Sequence, residues 1–319
     1  MAFTIYRSTD GSAPTLNGLT GSLLDVLDAC LVNGYGTQPG AGWTKPFPNT
    51  SSYGCYTIPT GSALSLFVSD NGPGAGVGKE ARMTGWDSIT SILDGAATGS
   101  NQFPTSAQLA IGPGAVVVRK SANATATAVS WLIAADSRSM YGFVQSDTAG
   151  IWQGFSFGDF YSVKTGSLDA FNCMIVGKAV ENTATATGDR LDALSVLTTP
   201  TTGHFGAHTF SGTGGSITIS KHGDATKGSA AALLGTVTYP NSVDNGLYVS
   251  PVWVCEEALS LIRGRMRGFY QVLHPIAGFS DQQTFSGLGG YAGKSFLILK
   301  QSGNSGLYCI ETSDTLETN

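Results

Sequence analysis

The chain has 319 residues, with 17 Lys or Arg against 22 Asp or Glu, so only 12% are charged where an ordinary soluble domain has roughly 25%. An apolar fraction of 41% with so little charge excludes a disordered polyelectrolyte, and 43 glycines without a three-residue period exclude collagen and a helix-rich protein. What remains is a turn-rich β protein whose weakly charged faces are covered in an assembly, and its net charge of −5 gives no drive toward nucleic acid or an anionic membrane.

In chain order, Phe3 and Ile5 alternate with Thr4 and Tyr6 as a short strand that ends in the turn Asp10-Gly11-Ser12. A helix is expected over 22–33. Leu23, Leu24, Leu27, Cys30 and Leu31 share one face while Asp25 and Asp28 point away, Ser22 and Asp25 read as a capping box, and Asn33-Gly34 supplies a left-handed stop. Strands are expected at 53–58, 63–69 and 81–86, with a short helix or strand at 88–93. The glycine-studded stretch 70–78 reads as a loop and 96–113 as a Gly, Ser and Pro-rich link. Sandwich-like spacing follows, with strands at 115–120, 127–135, 140–145, 151–157 and 172–177. A helical turn is expected within 188–200, short strands at 209–210, 215–221, 233–238 and 246–253, and a final hairpin from 294–301 and 307–311. The stretch 256–263, acidic at its start and basic at its end, reads as a short helix favoured by the helix dipole. Between Trp131 and Phe171 aromatics fall on both strand faces, so both faces should be covered; sugar binding by exposed aromatics is the weaker reading.

Apolar runs such as Phe296-Leu297-Ile298-Leu299 are far shorter than the ~20 residues of a membrane helix. The amino-terminal residues carry no basic segment followed by an apolar core, so folding in a reducing cytoplasm is expected. The five cysteines, Cys30, Cys55, Cys173, Cys255 and Cys309, fit neither a metal knuckle nor a disulfide framework and read as small buried hydrophobes.

The candidate chemistry is thin. Gly287 to Ser295 ends in the Gly-Lys-Ser of a phosphate loop, but Leu288 stands where the first glycine must be, and a strand rather than a helix follows. Gly74-Ala75-Gly76-Val77-Gly78-Lys79 fails in the same way, because Pro73 takes that position. His204 and His208 have the spacing of metal ligands on a helix, yet their surroundings read as strand or loop, and surface or partner-facing histidines are expected there. Neither Gly-x-Ser-x-Gly nor a cysteine nucleophile signature occurs. Asp136, Asp147, Asp159, Asp169, Asp189 and Asp192 could supply the two carboxyls of a glycosidase, but most sit beside Gly, Ser or Thr where Asp makes turns. Arg263, Arg265 and Arg267 form one dense basic group, expected to pair with Glu256, Glu257 or Asp281 inside the fold or at a subunit interface, against docking of a carboxylate-bearing neighbour. No catalytic, cofactor-binding or metal-ligating residue is therefore assigned, and neither a cofactor nor an enzyme activity is expected.

Ala13-Pro14-Thr15-Leu16-Asn17-Gly18, the helix segment Gly21-Ser22-Leu23-Leu24-Asp25-Val26-Leu27-Asp28-Ala29-Cys30-Leu31-Val32-Asn33-Gly34-Tyr35-Gly36, and Ala41-Gly42-Trp43-Thr44-Lys45-Pro46-Phe47 resemble a family of tailed-bacteriophage virion structural proteins. Phe157-Gly158-Asp159-Phe160, Lys164-Thr165-Gly166 and Cys173-Met174-Ile175-Val176-Gly177 are similar to the same family, and Arg263-Gly264-Arg265 and Thr284-Phe285-Ser286-Gly287 more weakly so. The resemblance covers roughly the first 180 residues and carries no catalytic motif; it implies a component of head decoration, collar, tail or baseplate.

The expected molecule is mainly β, with sandwich-like domains, one docked N-terminal amphipathic helix and a short C-terminal helix. Its expected divisions are 1–110, 111–275 and a C-terminal hairpin region 276–319 packed on the second domain or on a partner. The expected function is a virion subunit assembled in the host cytoplasm, binding copies of itself and other virion proteins, with tail, collar or baseplate preferred over capsid decoration. The alternative is a carbohydrate-binding or carbohydrate-cleaving receptor-binding protein at a tail tip, with a host glycan as partner.

Overall fold

The computed structural model describes residues 2–48, 50–71, 79–93, 95–109, 114–146, 152–164, 169–179, 203–222, 238–256, 258, 261–274, 278–287, 291–300 and 307–313, with side chains in 214–222 left aside. The chain is mainly β and sandwich-like, as its glycine content and alternation predicted. Strands β2 (Tyr53–Thr57), β3 (Ser65–Ser69), β4 (Glu80–Leu93) and β5 (Ala96–Phe103) form a five-stranded sheet with β6 (Val116–Arg119), which pairs with β4. A twelve-stranded sheet contains β1 (Thr4–Arg7), β7 (Trp131–Ala135), β8 (Ser139–Val144), β9 (Gln153–Ser162), β10 (Cys173–Val176), β11 (His204–His208), β12 (Gly214–His222), β13 (Val249–Glu256) and β14 (Leu261–Val272). It continues through β17 (Leu307–Glu311) and β16 (Ser295–Lys300) to β15 (Thr284–Ser286). A further pairing of β9 with β14 closes β9 through β14 into a ring of six antiparallel strands, which leaves this stretch without free edges. Both sheets draw strands from either side of residue 110: β1 pairs with β7, and β6 with β4.

Alternation along β7 explains the layering. Trp131, Ile133 and Ala135 enter one core with the inner face of the five-stranded sheet, while Leu132 and Ala134 enter a second core with Val252, Val254, Phe269, Leu297 and Ile310. Phe155 and Phe157 likewise join the first core and Trp152 and Phe160 the second, so the aromatics on β9 are covered on both faces. Glycine lets the rings in: a Cβ on Gly85 would lie 2.2 Å from the ring of its cross-strand partner Phe103, and one on Gly142 2.1 Å from that of Phe155.

Helix α1 (Ser22–Leu27) is followed by a wider π-helical turn through Asp28–Asn33, so the expected helix is present with its apolar stripe buried and its second half underwound. Its cap differs from expectation. Gly21, at φ +88°, is the N-cap, and Ser22 turns back to the Asn17 and Leu19 carbonyls; the Leu23 amide instead donates to Asp70 Oδ2 (2.9 Å), just beyond β3. Gly34 has positive φ as expected, with an extended ψ.

Three other expectations are corrected. The link at 96–113 begins with β5, and the pair 209–210 is a turn after β11. At 256–263, expected as a helix, Glu256 ends β13 and Leu261 to Arg263 open β14, and the acid-then-base order that suggested a dipole is an ion pair between these two strands, Arg263 Nη1 to Glu256 Oε2 at 3.1 Å. The helical turn of 188–200 and nearly all of the strand at 233–238 lie outside the described residues. Four cysteines are buried and Cys255 half-buried, all unbridged; burial lifts the Cys30, Cys173 and Cys309 thiols well above their usual range and Cys55 to about 12.

Candidate functional site

Each candidate glycosidase carboxylate described in the structure holds an arginine, whereas Asp281, expected to pair with the arginine group, instead accepts from Trp152 Nε1 (3.0 Å) and the Lys300 amide (2.9 Å), and Glu257 lies outside the described residues. Asp136 binds Arg267 while its Oδ1 accepts the Arg138 and Ser139 amides, the turn expected of it. Asp159 binds Arg138 (2.8 Å) and the Ser62 hydroxyl, and burial raises its pKa despite that arginine. Asp169 binds Arg263 (3.1 Å). A carboxylate committed in this way is poorly placed to share a sugar with a second one. Asp147, Asp189 and Asp192 lie outside the described residues, as do residues 72–78 and 288–290 of the two glycine-rich loops. Lys294 of the second loop pairs with Glu311 (3.0 Å).

His204 and His208 sit on a strand and are buried, which corrects the surface placement. The His208 ring stacks on Phe171 (centroids 3.8 Å apart), and its Nε2 meets Asp87 Oδ2 at 2.7 Å. Asp87 stands at the base of the β4–β5 hairpin, so this contact ties the hairpin to β11. Among the described residues no three His, Cys, Asp or Glu side chains converge to hold a metal ion, and no helix is long and apolar enough to cross a membrane.

The arginine group organises one end of the large sheet. Arg263, fully buried, reaches Glu256, Asp169 and the His208 carbonyl, and Asp169 accepts the Ser162 hydroxyl (2.6 Å). Arg265 and Arg267 lie over the Tyr161 ring. Around this buried knot four apolar side chains reach solvent, Val163, Phe210, Leu261 and Ile262, at 51%, 39%, 37% and 54% exposed, and the Lys164 ammonium lies over the Phe210 ring (5.1 Å). Each is linked to the knot through its backbone. The Val163 amide donates to the Arg263 carbonyl, Leu261 is paired with Glu256, and Glu256 accepts the Phe210 amide. The ionic knot holds the backbone beneath these side chains.

A pocket of about 340 Å³ lies on the five-stranded sheet. Leu66, Val68, Ala81 and Met83 face the core, so Tyr53, Phe67, Ser69, Arg82, Thr84 and Trp86 fall on the other face. There the β4–β5 hairpin folds over, and its tip Gly95, at φ +78°, lies so close to the Tyr53 ring that a Cβ would be 2.0 Å from it. Tyr53 stacks on Phe67 (6.1 Å, 9° between planes), and Trp86 Nε1 donates to Thr84 Oγ1 (2.9 Å), which fixes the indole. Asn71, Ala97, Gln102 and Ala115 add to the wall, and the described lining residues include no Asp or Glu. Sequence reading placed β2, β3 and the first half of β4, took β5 for a link, and did not find the pocket. The available signal was Phe67 between Leu66 and Val68, an aromatic on the face that the core does not use.

No protein-family model and no curated protein matches the sequence.

Proposed function

We propose that this chain is a structural subunit of a tailed-bacteriophage virion, assembled in the host cytoplasm, that binds copies of itself and neighbouring virion proteins, with a tail, collar or baseplate position preferred over capsid decoration. One observation carries the reading: the exposed apolar rim of Val163, Phe210, Leu261 and Ile262 mounted on the buried Arg263 ion pairs. Exposed apolar side chains grouped about one buried knot suit an interaction surface, and a rigid support lowers the ordering cost of docking. The family resemblance of the first 180 residues and the low charge of the chain support the same reading.

The test has two parts. Light scattering on the purified chain should give a multimer, and Ile262→Lys should shift it toward monomer at an unchanged thermal midpoint. Antibody labelling of particles should place the chain on the virion. A wild-type monomer together with unlabelled particles would overturn the proposal.

A further inference from the structure

We infer that His208 is a proton-operated latch on the turn that carries Phe210: with both ring nitrogens protonated it holds that turn to β11, and on losing one proton it releases the turn. This regulation presupposes that Val163, Phe210, Leu261 and Ile262 form the assembly surface.

The ring faces two acceptors. His208 Nε2 lies 2.7 Å from Asp87 Oδ2 on the β4–β5 hairpin, and Nδ1 lies 3.3 Å from the Gly212 carbonyl, across the turn between β11 and β12. A carboxylate and a carbonyl only accept hydrogen bonds, and a neutral imidazole carries one N–H, so only the imidazolium serves both. Asp87 supplies the counter-charge, and Asn101 of β5 donates to the same oxygen (2.5 Å). The Phe171 ring lies against the imidazole at 19° between planes, and a ring face attracts a cation. Other charged groups described around the turn are engaged with one another or with its backbone. Asp169, two residues before Phe171, and Glu256 of β13 pair with Arg263 of β14, which also donates to the His208 carbonyl, and Lys164 donates to the Phe210 carbonyl.

The two contacts are unequal. A hydrogen bond to a carboxylate is shorter and stronger than one to a neutral carbonyl, so the single N–H of the neutral ring stays on Nε2 toward Asp87. The bare Nδ1 then faces the Gly212 oxygen, lone pair against lone pair. The hairpin keeps its tie to β11, whereas the turn bearing Phe210 loses one of its own. Bonds of the Phe210 amide to Glu256 and of its carbonyl to Lys164 remain, so the turn loosens without unfolding. Docking must order it again, and association weakens by that cost.

Nitrogen NMR of the whole chain, followed from about pH 5 to about pH 8, the span in which histidine side chains exchange their charge, reads both ring nitrogens of His208. Protons on both are expected at the acid end and on Nε2 alone at the alkaline end. Amide exchange in 209–213, corrected for intrinsic rates, should be at least threefold faster at the alkaline end, and light scattering should show self-association at least threefold weaker there. His208→Leu should remove the pH dependence of both. A ring that carries one proton throughout overturns the latch, as does a titration that leaves exchange in the turn unchanged. Self-association that ignores pH while the turn responds overturns the regulation alone. A monomer at every pH overturns the assembly surface and its regulation, whereas the ring spectra and the turn exchange decide the latch by themselves.

Discussion

The two faces of the five-stranded sheet are made by alternate residues of the same strands and have opposite fates. Inward, Tyr56, Leu66, Val68, Ala81, Met83 and Phe103 are buried in one core with helix α1 and the large sheet. Outward, Tyr53, Phe67 and Trp86 lie under their own hairpin, folded back over them, and border a cavity. An aromatic on a strand is therefore not automatically core; what covers its face decides, and here the cover of one face is too small to fill it. Removing a side chain from a filled face leaves a hole, whereas removing one that already borders a cavity enlarges it at lower cost.

Neighbouring residues test this directly, because each pair has one member on either side. Asp70→Ala strips the buried Lys120 of its counter-charge and the Leu23 amide of its acceptor, and should cost about 3–5 kcal/mol in urea denaturation; Ser69→Ala, one residue away on the pocket side, should stay within about 0.5 kcal/mol. Leu66→Ala should cost about 2–5 kcal/mol, and Phe67→Ala less despite removing the larger side chain. Equal costs within either pair would break the comparison. Gly85→Ala drives a methyl into the Phe103 ring and should cost about 1–3 kcal/mol; the double variant with Phe103→Leu should recover part of this, seen as non-additive denaturation midpoints.

How much of this was legible depends on whether the deciding contact is local. The helix stripe Leu23, Leu24, Leu27, Cys30 and Leu31 is a local pattern and reads directly, but its cap comes from Asp70, 47 residues on from Leu23, and Ser22 next to the helix start mimics the usual signal. Ala96 to Phe103 carries no β-branched run and reads as a link. It is a strand because β4 pairs with it, helped by hydroxyl contacts such as Ser88 to Ser100 (2.9 Å) and Ser91 to Thr98 (2.6 Å). Glu256 and Arg263 obey helix-dipole order and hairpin ion pairing equally well, and only the register of β13 against β14 separates the two. For the candidate site, the alternation that puts aromatics outward is written in the strands, while the return of the hairpin tip to Tyr53 is a tertiary contact without a local signature.

The inward side also carries a pH slope. Burial is the largest influence on Asp70 and outweighs the attraction of Lys120, whose own pKa burial lowers, so the carboxyl is lifted from 3.8 to about 6. Between those values the folded chain holds a proton that the unfolded chain releases. The contribution of this group is therefore fully present below 3.8 and lost as pH rises through about 6, opposite in sign to a carboxylate that is stabilised by its ion pair. Asp159, raised by the same cause, adds in the same direction. Each group can tilt stability by at most about 1.4 kcal/mol per pH unit. Asp70→Asn keeps an acceptor for Leu23 and removes the titration, so subtracting its urea-denaturation profile from that of the wild type should leave a difference that falls with pH across this window. Parallel profiles would mean that Lys120 holds Asp70 ionised throughout, and that the filled face tolerates a full buried charge pair.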